Sequence, residues 1–283
     1  MISTDLDIES YLASKRASHH KLRTLAERGA RAYYIAHEQR LWSADDTRAY
    51  QTGRAMEDAL QRPQEYASKY IAKPAGMSFV TKEGKAWRSD QEAMGRSIVD
   101  GEDARAIESL IGTLECCPIA QALMADATPQ ATVYHEDAVR GRWSIPGIQS
   151  RPDWLSLEGS AASEWRPYAL DLKTTATLGQ LCSGRSIIKY GYHRQAAMVR
   201  LALEYEGVDV SAFRYLLLGA EKAFPHRWRV VEIPQTLIDA GERWCVAQLD
   251  ALAVHYETGE WPLVPSEITV ADVPAWLDDS EAA

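Results

Sequence analysis

Two short segments combine acidic and basic side chains in a way that could support catalysis. One is an Arg-Pro-Asp run ending at Asp153, and the other is the run LDLKTT at 170–175. Side chains alternate along a strand, so Asp171 and Lys173 are expected on one face and the leucines between them on the other. Such a pair is either an exposed ion pair or a metal site with an adjacent cation.

The spacing of the two aspartates favours the metal site. If their strands pair antiparallel, Asp153 and Asp171 converge, and two close carboxylates repel each other unless a cation lies between them. Ligation by oxygen alone suits Mg²⁺ or Mn²⁺. Lys173 would then lie beside a metal-bound water and a phosphate, where it could orient the nucleophile or stabilise the developing negative charge.

The first hundred residues are mainly helical in pattern. Ser43 is a plausible N-cap of a helix that ends before Pro63, and Pro63 can begin the next helix. The polar, basic run TKEGKAWR at 81–88 predicts a loop, and helical periodicity resumes at 103–115.

The middle of the chain changes character. The segments ATVYHEDAV, RWSIPGIQSRPDWLSLE and WRPYALDLKTT predict three successive strands in a meander. Two helices follow, the second ending at Gly207, then strands at 213–218 and 228–233, and a last helix that begins at Pro234. This order predicts an α/β core with a mixed sheet and a helical N-terminal decoration.

Composition restricts the class of protein. The 283 residues are 46% hydrophobic and 25% charged, which excludes disordered, collagen-like and coiled-coil classes. The net charge of -9 argues against a surface coated in positive charge, but not against a local basic groove. No signal peptide or apolar run long enough to span a membrane is present, and the four cysteines form no CxxC pair. We therefore expect a cytoplasmic protein with free thiols and no membrane partner.

The segments RPDWL, ALDLKTT and YGYHRQAAM, in this order, resemble the PD-(D/E)xK nuclease superfamily and, more narrowly, the phage and prophage exonuclease VIII (RecE-type) enzymes. The resemblance covers roughly residues 45 to 265. It implies a restriction-endonuclease-like core with a mixed central sheet flanked by helices. The whole chain, 1–283, would be one nuclease domain with a mainly helical part at 1–100, the core at 101–260 and a tail at 261–283.

The resemblance also implies roles for individual residues. Asp153 and Asp171 match the two metal-binding aspartates, Lys173 matches the catalytic lysine, and the carbonyl of Leu172 would complete the metal shell. Family members often carry a G-x-x-x-H signature on an N-terminal helix, and Glu57 occupies the histidine position here. Related nucleases place a glutamate on that helix, so Glu57 is expected as a ligand or, alternatively, as a solvated surface residue.

Neighbouring positions are less decisive. Asp58 is an alternative to Glu57, although it points about 100° away around the helix. Gln195 matches half of a Gln-x-x-x-Tyr signature whose last position is Val199 here, and Tyr192 could supply the missing hydroxyl. Gln195 would bond the lysine or a phosphate, or be a polar side chain at a helix boundary. His193 is expected to be exposed or capping rather than a ligand.

Several polar and basic side chains are candidates for contact with the DNA backbone. They are Thr174, Thr175, Tyr192, Lys82, Lys85 and Arg88. The three basic residues could equally be a solvated face. Trp154 could stack on a base or belong to the core.

The resemblance implies a Mg²⁺- or Mn²⁺-dependent exonuclease on linear double-stranded DNA. It further implies a role in phage-type recombination or DNA end processing, a single-strand annealing protein as partner, and a homo-oligomeric ring around the DNA. Three alternatives stay open: an endonuclease, a RecB-like nuclease without its iron–sulfur cluster, and a DNA-end-binding protein of nuclease fold that does not cut.

Overall fold

The structure is a computed structural model, and it describes residues 1–42, 47–136, 142–157 and 167–263. The strands are β1 (Ile2–Ser3), β2 (Tyr70–Ala72), β3 (Ser97–Val99), β4 (Thr128–Pro129), β5 (Thr132–Glu136), β6 (Gly147–Ser150), β7 (Trp154–Ser156), β8 (Tyr168–Thr175), β9 (Arg214–Glu221) and β10 (Trp228–Glu232). The helices are α1 (Ile8–Ala13), α2 (His19–Tyr33), α3 (Arg48–Gln61), α4 (Pro63–Lys69), α5 (Lys82–Ala93), α6 (Gly101–Thr113), α7 (Pro118–Ala125), α8 (Leu178–Leu181), α9 (Gly184–Tyr190), α10 (Tyr192–Tyr205) and α11 (Gln235–Thr258), with a π-helical turn (Tyr34–Glu38) and a 3₁₀ turn (Leu114–Cys116).

A five-stranded sheet in the order β10-β9-β8-β7-β4 lies at the centre. Strands β8 and β9 pair in parallel, and the other neighbours in this sheet pair antiparallel. A parallel pair requires a long crossover, which α8, α9 and α10 provide between β8 and β9. The mixed sheet flanked by helices predicted from the sequence is therefore present.

Each face of this sheet is covered by its own hydrophobic cluster. Helices α2, α10 and α11 pack on one face together with Ala169 of β8, and α3, α6 and α7 pack on the other together with Leu170 and Leu172. Alternation along β8 thus turns the two leucines toward the α3 side, as predicted, and leaves Asp171 and Lys173 on the opposite face. Because both faces are covered, β8 and β9 tolerate a nearly continuous apolar sequence.

The predicted three-strand meander is wrong. The segment at 142–157 forms two strands, β6 and β7, that belong to different sheets, because β6 pairs with β5 in a smaller antiparallel sheet of order β1-β5-β6 while β7 pairs with β8. Pro152 lies between them and has no N–H to donate to a ladder, so pairing stops there. The chain therefore leaves the small sheet at the residues that carry the Arg-Pro-Asp motif.

Two further local predictions need correction. The run at 81–88 is not a loop: Thr81 accepts a hydrogen bond from the Gly84 N–H at 3.1 Å and caps α5, which contains most of the run. The proposed cap at Ser43 lies outside the described residues, and α3 begins at Arg48 with Thr47 as its N-cap. Pro63 does end one helix and begin the next, as predicted.

Two glycines determine where α10 ends and how closely α11 packs against it. The helix ends at Tyr205, and Gly207 follows with a φ of +82°, close to the predicted C-cap. Gly241 of α11 lets that helix approach α10 closely, since a Cβ there would lie 2.3 Å from the His193 carbonyl oxygen. In the described part of the chain, every helix is too short or too polar to cross a membrane.

Candidate active site

The side chain of Asp153 replaces a backbone hydrogen bond at the point where the pairing between β7 and β8 ends. Strand β7 begins at Trp154, which pairs with Leu170, so Leu172 has no backbone partner on that side. The Leu172 N–H donates instead to Asp153 Oδ2 at 2.6 Å. Since N–H and C=O of one residue face the same neighbouring strand, the Leu172 carbonyl lies on the same edge. The predicted antiparallel pairing therefore brings Asp153 against β8.

Asp171 is almost fully buried and is held by two side chains. Lys173 Nζ donates to Asp171 Oδ2, and Gln195 Nε2, from the first turns of α10, donates to Oδ1 at 2.8 Å. Lys173 and Gln195 thus meet at one carboxylate, and the partner of Gln195 is Asp171 rather than the lysine that the sequence suggested. Tyr192 is also close, with the Lys173 ammonium 5.1 Å from the centre of its ring.

Glu57 projects from α3 toward the same edge of the sheet. Its carboxylate accepts a hydrogen bond from Gln130 Nε2, and Gln130 Oε1 accepts in turn from Arg151 Nε at 2.7 Å. Gln130 also anchors the motif through its backbone, because its N–H donates to the Asp153 carbonyl at 2.9 Å. Glu57 therefore belongs to the site through a relay rather than standing free at the surface.

The charges of the site perturb one another. Burial, followed by the repulsion of Asp153 and Asp58, raises the pKa of Glu57 to about 8. Burial also raises the pKa of Asp153, against the opposing effect of Lys173, and burial lowers the pKa of Lys173, against the attraction of Asp153 and Glu57. Three carboxyl groups, those of Asp153, Asp171 and Glu57, thus share this edge with one ammonium.

The donor set suits a hard divalent cation, although it does not form a finished cage. In the described residues no three His, Cys, Asp or Glu side chains are gathered around a common point. Asp171 is engaged by Lys173 and Gln195, while Glu57 and Asp153 repel each other. A cation would relieve this repulsion, and carboxylate and carbonyl oxygens are what Mg²⁺ prefers. The residues that could hold one are Asp153, Asp171, Glu57 and the Leu172 carbonyl.

Two neighbouring residues, Asp58 and His193, have structural roles. Asp58 is buried and bonded to Arg62, Lys69 and the Tyr70 hydroxyl, so its carboxylate is turned away from the site. His193 is buried rather than exposed, with Nδ1 3.3 Å from the Ile187 carbonyl at the end of α9. This corrects the expected exposure and agrees with a capping role.

The remaining predicted DNA contacts are divided between two places. Thr174, Thr175 and Trp154 lie beside the site, the first two half-buried at the end of β8 and Trp154 within the core on the α3 side. Lys82 and Lys85 are exposed in the first turn of α5, and no described contact joins them or Arg88 to the site. Arg88 pairs with Glu92 at 2.7 Å.

Arg151, Gln130 and the wall formed by α2 have positions beside the site that the sequence pattern does not predict. Arg151 was visible in its motif, but Gln130 has no sequence signal, because its role depends on three contacts with separate segments. A cavity of about 340 Å³ adjoins Gln195 and Arg151 and is lined from α2 and the π-helical turn by His19, His20 and His37. The paired histidines at 19–20 were the one available sign of it.

Comparison with known proteins supports the fold. A crystal structure of a protein described as a putative exonuclease, from Eubacterium rectale, superposes with a TM-score of 0.61, covering 96% of this chain and 99% of that one at 11% identity. No family model matches the sequence, and no curated protein does. The chain thus has a mixed α/β fold that is similar to that of the putative exonuclease, over 96% of its length.

Proposed function

We propose that the protein is a metal-dependent deoxyribonuclease of the PD-(D/E)xK type that digests linear double-stranded DNA from an end. The observation that carries the proposal is the meeting of Asp153, Asp171 and Lys173 at one edge of the sheet, with Gln195 on Asp171. The similarity to the putative exonuclease supports the fold required for it.

The chain's own residues have distinct tasks in this hydrolysis. Mg²⁺ or Mn²⁺, when bound by Asp153, Asp171, Glu57 and the Leu172 carbonyl, supplies positive charge that acidifies water and polarises the phosphate. Lys173 leaves Asp171 and donates to the attacked phosphate, where its ammonium stabilises the negative charge of the transition state. Gln195 keeps Asp171 oriented, and Gln130 and Arg151 keep Glu57 directed toward the edge.

The resemblance further supports a role in phage-type recombination or DNA end processing in the cytoplasm. In that setting a single-strand annealing protein would take up the resected strand, and a homo-oligomeric ring would retain the duplex. Both partners are part of the proposal, and size-exclusion chromatography with light scattering would test the ring.

The cysteine positions disfavour an iron–sulfur nuclease. Cys245 is buried in the cluster with α10 and α11, whereas Cys117 packs against the cluster on the opposite face of the sheet. Four cysteines on both sides of a sheet cannot share one cluster, since all its ligands must meet at one point.

Cleavage of end-labelled linear duplex with Mg²⁺ tests the proposal, with circular plasmid as the parallel substrate. We expect mononucleotide release from the linear duplex, no cutting of the circle, and loss of cleavage in Lys173→Ala with DNA binding retained. Cutting of the circle would favour the endonuclease. Intact linear DNA at enzyme excess with both Mg²⁺ and Mn²⁺ would leave a non-cutting end-binding protein.

A further inference from the structure

A second cavity, of about 520 Å³, opens on the N-terminal helical part. It lies between α3, the β2–α5 segment and β3. Six basic side chains line it, against the acidic residues Glu92 and Asp100: Arg48, Arg54, Lys69, Lys73, Arg88 and Arg96. In a chain of net charge -9, this concentration of positive charge is the reverse of the average surface. We refer to it as the basic cleft.

Part of that charge is not neutralised by the protein. Arg88 pairs with Glu92, Lys69 pairs with Asp58, and Arg48 pairs with Asp100 and Asp103. In contrast, Arg96 donates to the neutral Gln91 side chain at 3.2 Å, and no ion pair of Lys73 occurs within the described residues. Cations that face a cleft without carboxylate partners are suited to a ligand that brings its own negative charge.

An aromatic ring lies among these cations. Phe79 is half-exposed in the cleft, with the Lys73 ammonium 4.9 Å and the Arg88 guanidinium 5.6 Å from the centre of its ring. Behind it Trp87 stacks at 6.3 Å between ring centres and supports its position. A ring flanked by cations is the arrangement that binds a nucleobase while its phosphates are neutralised.

The cleft and the candidate active site share helix α3. Arg54 lines the cleft, and Glu57 lies one helical turn further on the same helix. A strand held in the cleft would therefore have a short path to the carboxylates at the edge of the central sheet.

We infer that the basic cleft binds a single strand of DNA, with phosphates at Lys73 and Arg96 and a base on Phe79. The inference rests on the proposed function, since it gives that site a separate holding surface for one strand of its substrate. The cleft volume suits one or two nucleotides rather than a duplex, and the aromatic ring favours nucleic acid over a simple polyphosphate.

Binding without cleavage tests this inference. Fluorescence anisotropy with a labelled oligothymidine of about 12 nucleotides is measured in EDTA over a range of salt concentrations. The double variant Lys73→Gln/Arg96→Gln should bind about tenfold more weakly, and the slope of log K against log salt should fall by about 1.4, the value for two phosphate contacts on a single strand. The matched control is Arg243→Gln, an exposed arginine on α11 at the opposite face of the sheet.

The second arm distinguishes nucleic acid from polyphosphate. Phe79→Leu should weaken oligothymidine binding about fivefold or more, while competition by inorganic polyphosphate is unchanged. Equal binding of oligothymidine by wild type and the double variant would overturn the inference. So would tighter binding of polyphosphate than of oligothymidine together with unchanged oligothymidine binding in Phe79→Leu. Thermal unfolding of each variant ensures that weak binding does not reflect misfolding.

Failure of this inference is separable from failure of the proposed function. If Lys73→Gln/Arg96→Gln binds normally and wild type still degrades duplex, only the cleft assignment fails. If the cleft variants lose binding and wild type never cleaves with Mg²⁺ or Mn²⁺, the cleft assignment stands and the nuclease proposal fails.

Discussion

Asp153 has two separable tasks, and a pair of substitutions divides them. Its carboxylate is a candidate metal ligand, and its Oδ2 also accepts the hydrogen bond of the Leu172 N–H. Asp153→Asn removes the negative charge but keeps an oxygen acceptor of the same shape. Asp153→Ala removes both.

The free-energy cost of losing the hydrogen bond to the Leu172 N–H can be estimated from its burial. The Leu172 N–H faces an edge without another backbone partner, and leaving a buried donor unsatisfied costs about 1–3 kcal/mol. We expect Asp153→Ala to be less stable than Asp153→Asn by that amount. Asn should equal or exceed the stability of wild type without metal, because burial penalises the charged form of Asp153 and raises its pKa.

Urea unfolding in EDTA measures the contribution of the hydrogen bond to stability. Repeating it with Mg²⁺ measures the contribution of the bound metal. At a hundred times the dissociation constant, a bound cation adds about 2.7 kcal/mol to wild type. Both variants should lose that increment and lose DNA cleavage by more than about 100-fold, beyond the cost of removing an outer-shell partner. Equal stability of the two variants would refute the hydrogen-bond argument, and an intact Mg²⁺ increment in Asp153→Asn would refute the ligand assignment.

Three further predictions concern other parts of the molecule. Gln195→Ala should lower Mg²⁺ affinity about 10–100-fold, as measured by titration calorimetry, because Asp171 loses the group that orients it; an unchanged affinity would remove Gln195 from the site. Burial lowers the pKa of His19 to about 3 and that of His37 to about 4. Between pH 6.5 and 4 the unfolded chain therefore binds more protons than the folded one, and the free energy of unfolding should fall as pH falls. His37→Gln should make this pH dependence weaker in urea unfolding. An unchanged pH dependence would contradict the burial of His37 in its neutral form. Gly241→Ala should cost about 1–3 kcal/mol by thermal unfolding, since its Cβ would meet the α10 backbone at 2.3 Å, whereas Gly179→Ala, with open space around it, is the control and should be near neutral.

Much of the architecture followed from local pattern. The helices before and after Pro63, the helix ending near Gly207 and the strand with alternating Asp171 and Lys173 depend on proline, glycine and side-chain periodicity, which act within a few residues. The errors arose where local pattern was ambiguous. The basic run at 81–88 is polar and contains a glycine, which is typical of a loop. It forms a helix because Thr81 caps it and its polar side chains lie on an exposed surface.

The strand count was wrong for a different reason. The segment at 142–157 has uniform strand character, and only pairing reveals that β6 and β7 belong to different sheets. Pairing partners lie far apart in sequence, so no window around Pro152 contains the information.

The candidate catalytic residues, and the common face of Asp171 and Lys173 on β8, can be read from local sequence, because alternation is a property of the strand alone. Three contacts depend on tertiary packing instead: Asp153 accepts from the Leu172 N–H, Gln195 donates to Asp171, and Gln130 connects Glu57 to Arg151. Tertiary packing also gathers six cations into the basic cleft of an acidic chain. These are contacts between segments distant in the sequence, and their positions are set by the packing of helices on both faces of one sheet.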